Sequence, residues 1–595
     1  MYYDKESAIL RTELSIADLF MQAKKGCETE VARTVGIGIQ DFGELREKQL
    51  FYIDKTALIK EWWESEDSVT LITRPRRFGK TINMSMIEQF FSLDYAGRGD
   101  LFEGLSIWKE EKYRQLQGTY PVISLSFANI KDANYATVHK KICQLITDLY
   151  AKHAYLLNGD LLFETEKNYF YRVTEQMDDA DATIALNRLS DFLSRYYGKK
   201  VIILLDEYDT PMQEAYVNGF WDEMIEFIRS LFNSTFKTNP YMERGIMTGI
   251  TRVSKESVFS DLNNLKVVTT SSNEYATAFG FTEEEVFAAL DECGFGKEKE
   301  EVKRWYDGFV FGEYKDIYNP WSILNFLDTG KYETYWVNTS SNRLVGKLIR
   351  EGSHRIKQSF EKLLSGEHLR CPIDEQIVYN QLDHSESAIW SLLLASGYLK
   401  VLAFDRAELL EAGEKVCYEL ALTNYEVRRM FEGMVSEWFM VTESAYQDFV
   451  QALLIGDLDA MNEYMNEITC EIFSNFDTGK RASKKAQPER FYHGVILGLL
   501  VDLQVDYIIT SNRESGFGRY DVMLEPKNIK EDVAVIIEFK VFNARKEESL
   551  EDTLASALNQ IEEKQYASGL IAKGVPKEHI RKYGFAFEGK NVLIG

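Results

Sequence analysis

The chain has no C-x-x-C pair, and its six cysteines (Cys27, Cys143, Cys293, Cys371, Cys417 and Cys470) are scattered through 595 residues. That excludes a zinc ribbon or a disulfide framework and points to a reducing cytoplasm. Proline is scarce, at nine residues, and no Ser/Gly-rich tract occurs, so long flexible linkers are not expected. No apolar run approaches the length of a membrane span. The amino terminus, MYYDKESAILRTEL, lacks a basic region followed by an apolar one, so neither membrane association nor export is expected. Positive charge is also in deficit. A formal net charge of −25 disfavours indiscriminate binding to nucleic acid or anionic lipid, and any nucleic-acid contact must come from a local basic patch. Repeats of fixed period are not evident. What is present, 45% hydrophobic and 13% aromatic residues, is ample for packed cores, and the length calls for more than one domain.

The segment Val69 to Thr81, VTLITRPRRFGKT, reads as a buried strand running into a phosphate-binding loop. Such a loop wraps phosphate with backbone amides, reaches the β and γ oxygens with a lysine and holds Mg²⁺ with a hydroxyl. Gly79, Lys80 and Thr81 fit those roles, with Arg76 and Arg77 beside them. The first glycine of the usual pattern is replaced by Arg74. About 125 residues further on, VIILLDEYD (Val201 to Asp209) reads as a second buried strand with acids at its carboxyl end, where α/β sheets place ligands. Asp206 is suited to the Mg²⁺ water shell and Glu207 to polarising a water against the γ-phosphate. Either segment alone is also compatible with an ordinary capped turn or strand end. Their order and spacing together favour a site for ATP with Mg²⁺.

These residues carry a family resemblance. VGIGIQDFGELREKQLFYIDKT, RPRRFGKT, VIILLDEYD, TGITRVSKESVFSDLNNL, WYDGFVFG, GRYDVML and VIIEFK resemble the AAA-ATPase-like proteins whose P-loop reads RPRRFGK and which end in a PD-(D/E)XK nuclease-like domain. The likeness covers most of the chain from Val35 onward. Arg74 belongs to that family's own loop, so the departure from the generic pattern does not count against it, and the resemblance places Arg74 with the nucleotide-binding residues. The implied fold class is α/β: a P-loop NTPase with a parallel sheet, a helical lid and connector, and a restriction-endonuclease-like α/β domain at the carboxyl end.

Along the chain, residues 1–34 form an amphipathic extension without assignable chemistry, and 35–260 the ATPase domain. Pro121 to Phe127 and Gly245 to Ile250 are expected as further core strands, and Ala136 to Lys152 as a helix. Thr248, Thr251 and Arg252 fall at the end of the later strand, where AAA-type proteins place a γ-phosphate sensor. Arg252 is either that sensor or a salt-bridged surface arginine. Residues 261–334 are expected to form a winged-helix-like lid, with Thr282 capping a helix. Residues 335–476 read as a mostly helical connector with one hairpin around GYLKVLAF and KVCYELALTN.

In 477–595 the expected order is helix, strand, strand, strand, helix. Metal-assisted phosphodiester cleavage needs clustered carboxylates and a nearby cation. Asp521 in RYDVML and Glu538 with Lys540 in VIIEFK supply those groups, and Glu538 and Lys540 share a strand face because side chains alternate. The resemblance assigns Asp521 and Glu538 to Mg²⁺ or Mn²⁺ and Lys540 to catalysis. It gives supporting roles to Glu489, near the metal, and to Gln560; Tyr566 lies on the same downstream segment. His493 sits one turn from Glu489 and suits a core or supporting role. Lys480, Arg481, Lys484, Lys485 and Arg490 are either a solvated loop or a phosphate-backbone track. The resulting expectation is an ATPase module controlling a nuclease for DNA or RNA. The alternative is an ATP-dependent switch or scaffold whose last domain binds nucleic acid without cutting it. A mobile-element or defence role is compatible with both, and homo-oligomerisation stays open.

Overall fold

The computed structural model describes residues 33–595 except 238, 252–257, 260–261, 338–342, 352, 375–381, 383–384, 406–415, 440–442, 475–495, 497–499, 501–502, 504–505, 512–513, 516–517, 520, 530, 544–546 and 589–590. Short apolar runs become β1 (Val69–Thr73), β2 (Val122–Ser126), β3 (Val201–Asp206) and β4 (Met242–Gly249). With β5 (Leu265–Val268) they form one sheet in the order β2-β3-β4-β1-β5, parallel throughout. β1 and β3 are buried along their whole length, as a sheet covered on both faces requires. Connecting helices carry legible ends: Asn134 caps Tyr135–Lys152, and Gly198 closes Asp179–Tyr197 in a left-handed conformation. β5 lies beyond residue 260, where the first domain was expected to stop, because the free edge of β1 takes it as a parallel partner (Val69↔Leu265).

The next unit is a small antiparallel sheet, order β6-β8-β7, made of β6 (Phe281–Thr282), β7 (Phe309–Phe311) and β8 (Tyr314–Tyr318). Thr282 caps the helix Glu283–Glu292 in a reciprocal box with Glu285. The expected hairpin forms from β10 (Leu399–Phe404) and β11 (Cys417–Leu422), and β9 (Leu369–Pro372) joins it as a third antiparallel strand. One continuous hydrophobic cluster runs from Leu71 and Leu205 through Phe78, Phe309 and Trp336 to Tyr398 and Phe431, so this region shares a core with the first sheet.

The carboxyl-terminal sheet contains β12 (Tyr507–Ser511), β15 (Val522–Pro526), β16 (Ala534–Val541), β17 (Ile580–Glu588) and β18 (Asn591–Ile594), in that spatial order. A two-residue pair, β13 (Glu514–Ser515) and β14 (Gly518–Arg519), stands beside it. β16 and β17 run parallel, joined across the helix Leu550–Glu563, while the flanking pairs are antiparallel. The expected order lacked β17 and β18. The helices Glu443–Ile455 and Leu458–Ser474, expected in the connector, pack here instead: Phe449, Leu453, Met461 and Met465 share a core with Leu524, Val535 and Phe585. Asn462 and Asn466, one helical turn apart, exchange side-chain hydrogen bonds with the backbone of Ile594 and Val592 and cover the outer edge of β18. No described helix is long and apolar enough to cross a membrane.

Glu426, on the helix Tyr425–Phe439, is fully buried and accepts hydrogen bonds from Ser322 Oγ (2.8 Å) and the Trp336 backbone N–H (2.6 Å). Burial pushes its carboxyl up to about 7 despite these donors. A proton retained in the folded state and lost in the unfolded state makes this group's stability contribution fall as pH rises from about 4.5 to about 7, and level off above. Glu426→Gln removes that dependence. The stability difference between variant and parent, read by urea denaturation, should therefore move by about 3 kcal/mol in the variant's favour across that window; a difference independent of pH contradicts it.

Candidate functional site

At the carboxyl edge of the first sheet, β1 ends in the loop 74–79, which enters the helix Lys80–Phe91. Gly79 caps that helix at φ 79°, and Arg77 is also left-handed at φ 63°, so the loop curls tightly before its helix begins. Lys80 is buried and lies across the loop, donating to the carbonyls of Arg74 (3.0 Å) and Pro75 (2.9 Å). Burial pulls its ammonium down, opposed by Glu207, Asp206 and Asp209.

β4 stands between the strands that carry the loop and the acids, and this places Thr248 at the junction. Thr81 Oγ1 donates to Asp206 Oδ2 at 2.7 Å, and Thr248 Oγ1 donates to Asp206 Oδ1. Asp206 is buried; desolvation pushes its carboxyl up, and the two hydroxyls hold it down. The next residue, Glu207, takes the left-handed conformation (φ 52°) and accepts from Thr210 Oγ1 at 3.3 Å. A hydroxyl and a carboxylate in contact, with a lysine and a second carboxylate beside them, are hard donors suited to Mg²⁺ and phosphate oxygens.

The arginines of the loop diverge. Arg74, expected with the nucleotide-binding residues, is instead wholly buried. Its guanidinium donates to the carbonyls of Thr73, Thr269 and Glu274 and lies 4.6 Å from the Phe311 ring centroid, tying the base of the loop to the end of β5. Arg77 stacks over Trp321 at 4.4 Å. Arg76 donates to Gln213 Oε1 (3.3 Å), and Gln213 in turn donates to Asp209 Oδ2 (2.9 Å). Asp209 had no role assigned from sequence, although it closes the DEYD run. It is fully buried, and its Oδ2 also accepts from Ile250 N, Thr251 N and Thr251 Oγ1 at 2.9–3.1 Å. Burial pushes this carboxyl up as well. The chain Arg76–Gln213–Asp209–Thr251 fixes the loop against the end of β4. Arg252 lies outside the described residues.

In the last domain, Asp521 stands immediately before β15 and not on it, and its Oδ2 accepts from Phe539 N at 2.8 Å. That bond brings its carboxylate to β16 beside Glu538, which is buried. Gln560, on the helix Leu550–Glu563, is the hub: Nε2 donates to Glu538 Oε1 and to Tyr566 Oη (3.1 Å), and Oε1 accepts from Lys540 Nζ (2.7 Å). Two carboxylates, one buried, with a lysine bridged to one of them by an amide, fit a hard divalent cation. Glu489, His493 and the basic cluster Lys480, Arg481, Lys484, Lys485 and Arg490 lie outside the described residues. A further acidic group, Glu283, Asp307 and Asp316, surrounds Lys303 Nζ, whose single positive charge offsets part of theirs.

A P-loop on a parallel sheet and a mixed sheet bearing a D…E-x-K constellation define an α/β protein with two chemically distinct sites. Comparison with known proteins gives the families. Residues 36–259 match the family model described as "Predicted AAA-ATPase", and residues 487–595 match the PD-(D/E)XK nuclease superfamily. The chain thus carries an AAA-ATPase-like domain and a carboxyl-terminal domain of the PD-(D/E)XK nuclease superfamily. It is 24% identical over 568 residues, 94% of this chain and 97% of the other, to an uncharacterized protein in the vnfD 5′ region of Azotobacter chroococcum. Among solved structures, a Pyrococcus horikoshii signal transduction ATPase with numerous domains and a tetratricopeptide-repeat sensor is 11% identical, over 76% of this chain and 55% of that one, at a TM-score of 0.23. The Aeropyrum pernix ORC2 protein is 9% identical, over 64% of this chain and 92% of that one, also at 0.23. Neither score carries an argument about function.

Replacing Asp209 with Ala strands two backbone N–H groups and a hydroxyl in a buried site. The expected cost is about 2–5 kcal/mol of stability, measured by chemical denaturation. A loss below about 0.5 kcal/mol contradicts the clamp.

Proposed function

We propose that the protein binds and hydrolyses ATP at Lys80, Thr81, Asp206 and Glu207, and cleaves DNA or RNA phosphodiesters at Asp521, Glu538 and Lys540. In this reading the nucleotide state controls the cleavage, in the cytoplasm. The observation that carries it is the contact of Thr81 with Asp206, which joins a hydroxyl on the P-loop helix to the acid on β3. Lys80 would exchange the loop carbonyls it now holds for β- and γ-phosphate oxygens. Thr81 and Asp206 would hold Mg²⁺, which neutralises developing phosphate charge when bound. Glu207 follows Asp206 and is turned off the strand by its left-handed backbone; there it would orient a water. Thr251, held by Asp209, would sense the γ-phosphate side together with Arg252.

At the second site, Asp521 and Glu538, with Glu489, would hold Mg²⁺ or Mn²⁺, which supplies an activated water and charge neutralisation when bound. Lys540, oriented by Gln560, would point its ammonium at the scissile phosphate. Nucleic acid would be tracked by the basic residues between Lys480 and Arg490, the densest run of positive charge in an acidic sequence.

Lys80→Ala should abolish ATP binding or turnover, and Glu207→Gln should keep binding while slowing hydrolysis by 10-fold or more, consistent with loss of a water-positioning group. Unchanged affinity and rate in Lys80→Ala would remove the P-loop assignment. Asp521→Ala and Glu538→Ala should each eliminate metal-dependent cleavage of labelled single- and double-stranded DNA or RNA while ATP hydrolysis persists. Their effects should not add, since both carboxylates hold one ion. Binding without cleavage by the parent protein under every metal would instead favour the non-cleaving scaffold.

A further inference from the structure

Beyond its own strand and helix, the P-loop is gripped from a distant part of the chain. The carbonyl of Arg76 accepts two hydrogen bonds, from Trp336 Nε1 (2.9 Å) and from Asn319 Nδ2 (3.3 Å). Both donors trace back to one group. Glu426 Oε1 accepts from Trp336 N (2.6 Å), and Glu426 Oε2 accepts from Ser322 Oγ (2.8 Å); the Ser322 N–H is in turn held by Asn319 Oδ1 (3.2 Å). A single buried carboxylate thus supports a fork whose two tips close on one P-loop carbonyl.

Packing follows the same route. Phe78 of the loop meets Phe309 edge-on (ring centroids 4.7 Å apart), Phe309 meets Trp336 (5.5 Å), and Trp336 meets Tyr398 (5.5 Å). Gly397, at φ 87°, brings the connector against Pro75: a Cβ there would lie 2.9 Å from Pro75 Cγ, so only glycine permits the approach. The helix that carries Glu426, Tyr425–Phe439, precedes the helices 443–474 that pack on the carboxyl-terminal sheet.

We infer that Glu426 is a positioning residue for the P-loop, acting through Trp336 and Asn319, and that this fork is where nucleotide occupancy is felt by the connector. The inference rests on the nucleotide reading of the loop. The carbonyl of Arg76 belongs to the backbone that must wrap phosphate. A loop held in its binding shape binds more tightly than one that must first be ordered, and by linkage the nucleotide must steady the fork to the same extent that the fork steadies the loop.

The test uses the full chain and MgATP or MgADP in titration calorimetry, with steady-state hydrolysis alongside. Trp336→Phe keeps an aromatic ring between Phe309 and Tyr398 while removing the indole N–H and part of the indole volume. It should weaken nucleotide affinity about 3- to 10-fold, as loss of one buried hydrogen bond implies, with a raised KM and a kcat within about twofold. Glu426→Ala should weaken it further, and Glu426→Gln, which keeps one acceptor, should restore part of the loss. In hydrogen exchange, nucleotide should slow the amides of 425–439 in the parent and less so in Trp336→Phe. A merely structural fork would lower the unfolding midpoint without this nucleotide-dependent protection. If Glu426→Ala does not fold, Trp336→Phe decides alone. Parent-like affinity and parent-like exchange in a folded Trp336→Phe overturn the inference. Failure of the parent protein itself to bind nucleotide is the separate result that removes the nucleotide reading beneath it.

Discussion

A buried aspartate at the end of β3 must be satisfied, and the N-terminal half is arranged around that need. A carboxylate taken out of water is costly unless donors reach it, and Asp206 draws its donors from two other elements, the P-loop helix through Thr81 and β4 through Thr248. Those bonds fix the carboxyl ends of β3 and β4 and the start of the helix relative to one another, which is what a phosphate site requires. The same principle operates three residue positions further on, over a larger loop of chain: Asp209 gathers the backbone after β4 and, through Gln213, the side chain of Arg76.

The second site uses a neutral hub where the first uses acids. Gln560 presents its donor end to Glu538 and its acceptor end to Lys540, so that one neutral amide bridges two opposite charges on one strand face. Its position depends on the crossover between β16 and β17, a parallel connection that requires a helix on the sheet face. The outer edge of that sheet is closed by Asn462 and Asn466 on the helix Leu458–Ser474. The core of that sheet thus includes residues from the helices Glu443–Ile455 and Leu458–Ser474.

Much of the fold was legible in sequence because the signals were local. Five apolar residues before Asp206, the five residues of β1 before the loop, and Thr282 followed by Glu285 each specify an element without reference to the rest of the chain. That Glu538 and Lys540 share a strand face was legible for the same reason, since alternation alone puts them there. Arg74 was placed with the nucleotide-binding residues by its resemblance to the family's loop. Its actual partners are carbonyls at Thr269 and Glu274, nearly two hundred residues away, which no local pattern reveals. β17 and β18 were missed because IRKYGFAFE mixes charge with aromatics and becomes a buried strand only against β16.

The sequence by itself determined the buried strands β1 and β3, the helix caps and the P-loop motif, because these follow from periodicity, backbone preference and the chemistry of individual side chains. Tertiary structure alone decided which groups meet. It put Arg74 in the core, gave Asp209 the end of β4 to hold, placed Gln560 between Glu538 and Lys540, and closed Trp336 and Asn319 on Arg76 from a carboxylate at Glu426. Those outcomes depend on satisfying buried polar groups across distances in sequence that only a packed three-dimensional arrangement brings together.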